Sequence, residues 1–232
     1  MRVVVLAPHR FGDPRRDLIW EWVKGWYDRN IKWPVYYGES PYGVFSIAKA
    51  RNRVARMVDW DVALMIDSDT IADPTGIEEA VERASKHNQM FMAGDTHMRM
   101  SERTSNRIMF ENKWYPRPDG VLPKNGVNEN CYGYPSSGCF AIGRELWEAT
   151  GGFVECMQGW GYEDITFMTQ THVVGDGVAW VEDSTLLHFW HPRADHDEDT
   201  LRNSHISHCL HELCGFDKEM AKDFLRKLGH QW

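Results

Sequence analysis

The chain has 232 residues, 42% of them hydrophobic, which is enough for one generous domain with a real core and excludes wholesale disorder. Its formal charge is −8, from 34 Asp and Glu against 26 Lys and Arg, which counts against a broad nucleic-acid face but not against a local basic pocket. The five cysteines (Cys131, Cys139, Cys156, Cys209, Cys214) include no CxxC pair, so free thiols in a reducing compartment fit better than a disulfide framework or a zinc ribbon.

Arg2–Ala7 is a continuous apolar stretch stopped by Pro8-His9-Arg10. It reads as a buried first strand, not a secretory signal, and no apolar run approaches a membrane span, so a cytoplasmic protein is expected. Residues 13–29 are helical in pattern, with Leu18, Ile19, Trp22, Val23 and Trp26 on one face. Val35–Tyr37 is a short second strand. A second helix occupies 46–58, with Ser46 as its cap. Val62–Ile66 is a third apolar strand that runs straight into Asp67-Ser68-Asp69. Asp73-Pro74 then opens a helix, since proline suits a first turn, and Met90–Ala93 is a fourth strand.

This alternation predicts an α/β fold, a Rossmann-type, mainly parallel sheet flanked by helices, with ligands at the carboxyl ends of its strands. Residues 95–137, rich in Arg, Asn, Pro and Gly, read as loops and short antiparallel strands over the cleft. Cys139–Ile142 returns to strand, Arg144–Thr150 and Asp164–Val174 are helices, and Val178–Val181 and Thr185–Trp190 are closing strands. The tail from Asp199 to Leu228 reads as two amphipathic helices separated by Gly215.

Three segments carry chemistry. In Asp67-Ser68-Asp69 a buried strand ends on two acids one residue apart. Extended backbone places them on one side with Cα atoms roughly 6.6 Å apart, where they can bracket a divalent cation. The plainer reading is an exposed loop in which Asp69 caps the next turn. In Gly159-Trp160-Gly161-Tyr162-Glu163-Asp164 two glycines permit unusual backbone shapes, Trp160 offers a face to a sugar ring, and two acids start a helix. An ordinary glycine loop is the competing reading. In Thr185–Pro192, His188 and His191 lie three apart at a strand end, so a regular pleat turns only one of them inward, where a neutral imidazole can complete a metal site.

Together, in this order, these segments resemble the GT-A glycosyltransferases. Gly138–Ile142, Leu146-Trp147 and Gly151-Gly152-Phe153 resemble the strand–helix–GGF segment of family 2 enzymes. Gly159–Asp164 is similar to the GWGGED loop of β-1,4-galactosyltransferases and to the related loop of polypeptide N-acetylgalactosaminyltransferases. Ala50-Arg51-Asn52 resembles their A-R-N segment. Tyr162 departs from the pattern, standing where the second glycine of a Gly-Gly pair would be.

The resemblance implies a single catalytic domain: a nucleotide-sugar half over 1–94, an acceptor half over 95–192 and a helical tail over 193–232. It implies transfer of a sugar from a nucleotide-sugar, a UDP-sugar for preference, to an acceptor hydroxyl, with inversion favoured. The cofactor would be Mn²⁺ or Mg²⁺, held by Asp67, Asp69 and one of His188 and His191, His188 being preferred. The donor would lie against Ala7, Pro8, Arg10, Arg51, Asn52, Asp67, Ser68 and Asp69. Trp160, Gly161 and Tyr162 would meet the acceptor, with Asp164 as general base and Glu163 holding acceptor hydroxyls. The acceptor itself stays open among glycan, protein and nucleic-acid base; Arg99, Arg103, Arg107, Lys113 and Arg117 form a basic stretch that could meet phosphate. Two competing readings are a sugar-phosphate nucleotidyltransferase, which would want a glycine-rich loop where Ala7–Gly12 stands, and a non-catalytic carbohydrate-binding module.

Overall fold

A computed structural model describes residues 1–40, 43, 45–111, 130–192 and 198–231. Lys113 and Arg117 fall outside the described residues, as does the side chain of Cys131. In chain order the elements are β1 (Val3–Pro8), α1 (Pro14–Asn30), β2 (Val35–Gly38), α2 (Ile47–Arg56), β3 (Val62–Ile66), β4 (Thr70–Ala72), α3 (Pro74–Ala84), β5 (Met90–Met92), β6 (Thr96–Arg99) and α4 (Glu102–Glu111). They continue with β7 (Asn130–Gly133), β8 (Cys139–Gly143), α5 (Arg144–Thr150), α6 (Glu163–Val174), β9 (Val178–Trp180), β10 (Thr185–His188), α7 (Glu198–Phe216) and α8 (Lys218–Lys227).

Six strands form the main sheet in the order β2-β1-β3-β8-β5-β9. β1 pairs in parallel with β2 and β3, and β5 with β9, while β8 runs antiparallel between β3 and β5. β1 and β3 are buried along their whole length, as expected of strands covered by helices on both faces. A second sheet, β4-β10-β6-β7, stands beside it. β10 is antiparallel to β4 and parallel to β6. One large core unites the sheets with α1, α2, α3 and α5, and a smaller apolar cluster lies between α6, α7 and α8. Among the described residues no helix is long and apolar enough to cross a membrane.

Local signals explain most boundaries. Asp13 caps α1 by accepting from the Arg15 and Arg16 amides, Ser46 caps α2, and Asp73 caps α3 ahead of Pro74. Three expectations are corrected, and one strand is added. The inner face of α1 carries Ile19, Trp20, Val23, Trp26 and Tyr27, while Leu18 is exposed, because packing rotates the buried stripe toward two larger rings. The segment read as loops and strands contains a helix, α4, whose buried side is only Ser105, Ile108 and Met109. β4 is too short to show in the sequence and exists by pairing with β10. The break between α7 and α8 falls at Asp217, which caps α8, and not at Gly215.

Candidate active site

The carboxyl ends of β1 and β3 open into a cleft of about 1990 Å³, whose other walls come from β6, α4, the loop before α6 and the end of β10. Pro8, Arg10, Asp67, Ser68 and Asp69 line it, as do Trp160, Gly161, Glu163, Asp164, His188 and His191. Strand-to-helix turns in such sheets leave main-chain and side-chain groups pointing into a shared crevice, which is why ligands collect there.

Asp69 is the focus of the cleft floor. His191 Nε2 lies 3.1 Å from its Oδ2, His188 Nε2 3.5 Å from its Oδ1, and Arg16 3.8 Å from Oδ2. One ligand atom from each of Asp69, His188 and His191 lies within 4.8 Å of the others, a group suited to a metal ion. Burial alone would raise the Asp69 carboxyl, but His188, His191 and Arg16 hold it far below the usual carboxylate range. Burial lowers the His188 imidazole despite the pull of Asp69, which favours the neutral form that ligates metals.

Both histidines reach one carboxylate because β10 stops at His188. One more bond in the β4 register follows, from Phe189 N to the Asp69 carbonyl, and the chain then brings the His191 ring to 5.1 Å from His188. The alternation expected of a regular strand therefore does not extend to His191.

Asp67 has different company. Its Oδ1 accepts from Arg51 at 2.5 Å and its Oδ2 from Ser137 at 3.2 Å. It is not part of the histidine group. Arg51 is 1% exposed, lies over the Phe153 ring and also approaches Glu163 at 3.8 Å, so it stands beneath the acids and not in the cleft. Asn52 is buried too, bonded to the backbone of Phe153 at both N–H and C=O, and Ala7 is fully buried one residue short of the cleft wall. Arg10 does face the cleft and donates to Gly43 O and Ser40 Oγ.

Glu163 and Asp164 begin α6, each in a distinct setting. Glu163 is partly buried and pushed up to about 7, chiefly by desolvation and then by Asp164 beside it, with Arg51 pulling down. Asp164 accepts from Ser136 Oγ at 2.6 Å and from the Ile165 amide. Tyr162 takes a left-handed φ of +70°, a conformation that glycine would adopt without steric cost, and packs toward the α7–α8 cluster instead of the cleft. Trp160 is 43% exposed in the cleft wall.

Sequence reasoning does not single out Arg16, Ser136 or Ser137. Their signals are only an arginine in a first helical turn and a Ser-Ser-Gly ahead of β8. Arg99, Arg103 and Arg107 line the cleft beside Glu102 and Glu111, so this wall is of mixed charge.

No protein-family model matches the chain, and no curated protein matches its sequence. Among solved structures, GalNAc-T7 with UDP, GalNAc and Mn²⁺ matches at a TM-score of 0.53 and 14% identity, over 99% of this chain and 55% of that one. S. aureus TarS matches at 0.52 and 12% identity, over 98% and 43%. The catalytic domain of Drosophila β1,4-galactosyltransferase 7 in complex with xylobiose matches at 0.51 and 15% identity, over 88% and 79%. The chain thus spans about half the length of the first two. At these identities the likeness is one of fold, and the fold of this chain is that of the GT-A glycosyltransferases.

Proposed function

We propose that this domain is a metal-dependent glycosyltransferase that moves a sugar from a UDP-sugar to an acceptor hydroxyl with inversion. The observation that carries the reading is the convergence of Asp69, His188 and His191 at the mouth of a GT-A sheet. A carboxylate with two imidazoles is a mixed oxygen–nitrogen donor set that accepts Mn²⁺, and Mg²⁺ less readily. A divalent ion there would supply Lewis-acid stabilisation of charge on a leaving diphosphate. GalNAc-T7, of the same fold, was solved with UDP and Mn²⁺, which supports the choice of donor and ion.

The remaining roles fall to this chain's own residues. Arg16 and Arg10 add positive charge near a diphosphate. Pro8 and Ser68 line the donor side, while Arg51 and Asn52 act from below by holding Asp67 and the Phe153 turn. Asp164 accepts the proton of the attacking hydroxyl, its carboxylate aimed by Ser136, and Glu163 binds acceptor hydroxyls. Trp160 and the exposed Phe110 offer apolar faces beside Asn106 and Arg107, which suits a carbohydrate acceptor. The described cysteines Cys139, Cys156, Cys209 and Cys214 are all free, which fits a reducing compartment such as the cytosol.

A donor screen tests the reading. The protein is heated with Mn²⁺ and, in turn, UDP-glucose, UDP-galactose, UDP-N-acetylglucosamine, UDP-N-acetylgalactosamine and GDP-mannose. A UDP-sugar is expected to raise the melting temperature only when Mn²⁺ is present, and to release UDP slowly. Absence of both effects for every donor overturns the proposal.

A further inference from the structure

Among the described residues, the loop 157–161 meets sequence-distant backbone through one isolated bridge, between Gly159 and Ser46. Main-chain carbonyls turned inward need partners, and side chains from two distant helices take four of the loop's carbonyls. Ser46 Oγ donates to Met157 O at 3.0 Å. Asn203 Nδ2 donates to Gln158 O at 2.7 Å and to Gly161 O at 3.2 Å, and Thr200 Oγ1 donates to Trp160 O at 3.0 Å.

Asn203 is the centre of this arrangement. It is 1% exposed, and both hydrogens of its amide are committed to the loop, while its buried Oδ1 has no hydrogen-bond partner among the described residues. Turning the amide over would set that oxygen against two carbonyl oxygens, so the loop alone fixes its orientation. The loop needs such support because Gly159, Gly161 and Tyr162 all hold left-handed backbone, at φ +70°, +97° and +70°. Thr200 and Asn203 are three apart on one face of α7, and the same face continues as Ile206 and Leu210 in the apolar cluster with Met157 and Val173. Along the buried face Thr200 and Asn203 meet the loop, and beyond them Ile206 and Leu210 are apolar while Ser207 is polar. A helix that merely covered α6 would carry its apolar stripe to the start.

We infer that Asn203, assisted by Thr200, is a positioning residue for the acceptor side of the site. It holds the loop so that Trp160 faces the cleft and α6 begins with Glu163 and Asp164 at the cleft wall. This inference rests on the transferase reading above, so its test includes one measurement independent of any reaction.

The variants are Asn203→Ala, Asn203→Asp, Thr200→Val and the conservative Thr200→Ser. The independent measurement is iodide quenching of Trp160 fluorescence, taken as the difference between each protein and its Trp160→Phe counterpart. The second is transfer from the UDP-sugar to methyl β-xyloside, β-glucoside and β-galactoside, read as kcat and KM, with UDP affinity in Mn²⁺ alongside. Asn203→Ala, Asn203→Asp and Thr200→Val should change Trp160 quenching and lower kcat/KM for the acceptor by about 10- to 100-fold, the scale on which small misplacements act. UDP affinity should stay within about twofold, and Thr200→Ser should behave as the parent. Unchanged Trp160 quenching in the Asn203 variants, or a parallel loss of UDP affinity, would overturn the inference. If the parent protein turns over no UDP-sugar, the transferase reading fails while the quenching still decides the positioning role. Should the Asn203 variants not fold, the Thr200→Val and Thr200→Ser pair decides it.

Discussion

Arg51 donates to Asp67 across 2.5 Å, and this one contact sets the two acids of the Asp67-Ser68-Asp69 turn in different surroundings. Asp67 already has a resident cation, buried and permanent. Asp69 has two imidazoles and a more distant arginine. The two carboxylates stand in different settings, which their spacing along an extended chain does not show.

The separation predicts opposite outcomes for two substitutions. Asp67→Ala strands a buried guanidinium, with Glu163 at 3.8 Å as its remaining acid, and should lower stability by about 3 kcal/mol in a denaturant titration. Asp69→Ala leaves behind no fully buried guanidinium, Arg16 being 37% exposed, and should change stability less, yet abolish Mn²⁺ binding. If Asp67→Ala loses Mn²⁺ affinity as completely as Asp69→Ala while remaining stable, the division of labour is wrong.

Glu163 gives the site a pH signature. Its folded value of about 7 exceeds the ordinary 4.5, so the folded protein retains a proton that the unfolded chain gives up. Stability contributed by that proton is present below the ordinary value, declines as pH rises between about 4.5 and 7, and levels off above. Glu163→Gln removes the penalty. In EDTA it should match the parent near pH 4 and exceed it at pH 8 by on the order of 1–3 kcal/mol. A Gln variant no more stable than the parent at pH 8 would show that Arg51 compensates the buried charge fully. The same variant should raise the acceptor KM more than it lowers kcat.

Asp164→Asn keeps the size of the side chain and its acceptor for Ser136 but cannot take up a proton at neutral pH. Transfer should fall by a factor on the order of 10²–10⁴ while UDP affinity is retained. Steady-state kinetics with the donor found in the screen decides this. An active Asp164→Asn beside an inactive Glu163→Gln would exchange the two roles.

Gly76 tests the packing that supports the site. As the third residue of α3 it should by propensity gain up to about 1 kcal/mol on replacement by alanine. A Cβ there would stand 2.1 Å from Ser184 Oγ and 2.3 Å from Ala93 O, between β5 and the start of β10. Gly76→Ala is therefore expected to destabilise, by about 1–3 kcal/mol as for other overpacked sites, and thermal unfolding measures it.

The features legible in the sequence are those set by neighbours along the chain. β3 and α5 lie where their patterns place them, and Asp73-Pro74 opens α3 as capping and proline geometry require. The hidden features depend on distant partners. β4 is three residues held by β10, and α4 is polar on most of its surface, so neither has a strong period. The convergence of His191 on Asp69 needs the chain to leave the strand at His188, which a pleat argument cannot anticipate. The segment that carries Arg51 and Asn52 points to the phosphates, yet both residues lie beneath the cleft. Their place there comes from α2 burying Ala48, Arg51, Asn52 and Val54 against the sheet and the Phe153 turn.

The central claim is that Asp69, His188 and His191 hold the ion through which a nucleoside diphosphate binds, and titration calorimetry with UDP tests it most directly. In Mn²⁺ the protein should bind UDP, and in EDTA the heat of binding should vanish. Asp69→Ala, His188→Ala and His191→Ala should each weaken UDP binding in Mn²⁺ by about 10-fold or more. Equal UDP affinity in Mn²⁺ and EDTA, or full affinity in all three variants, would contradict the account.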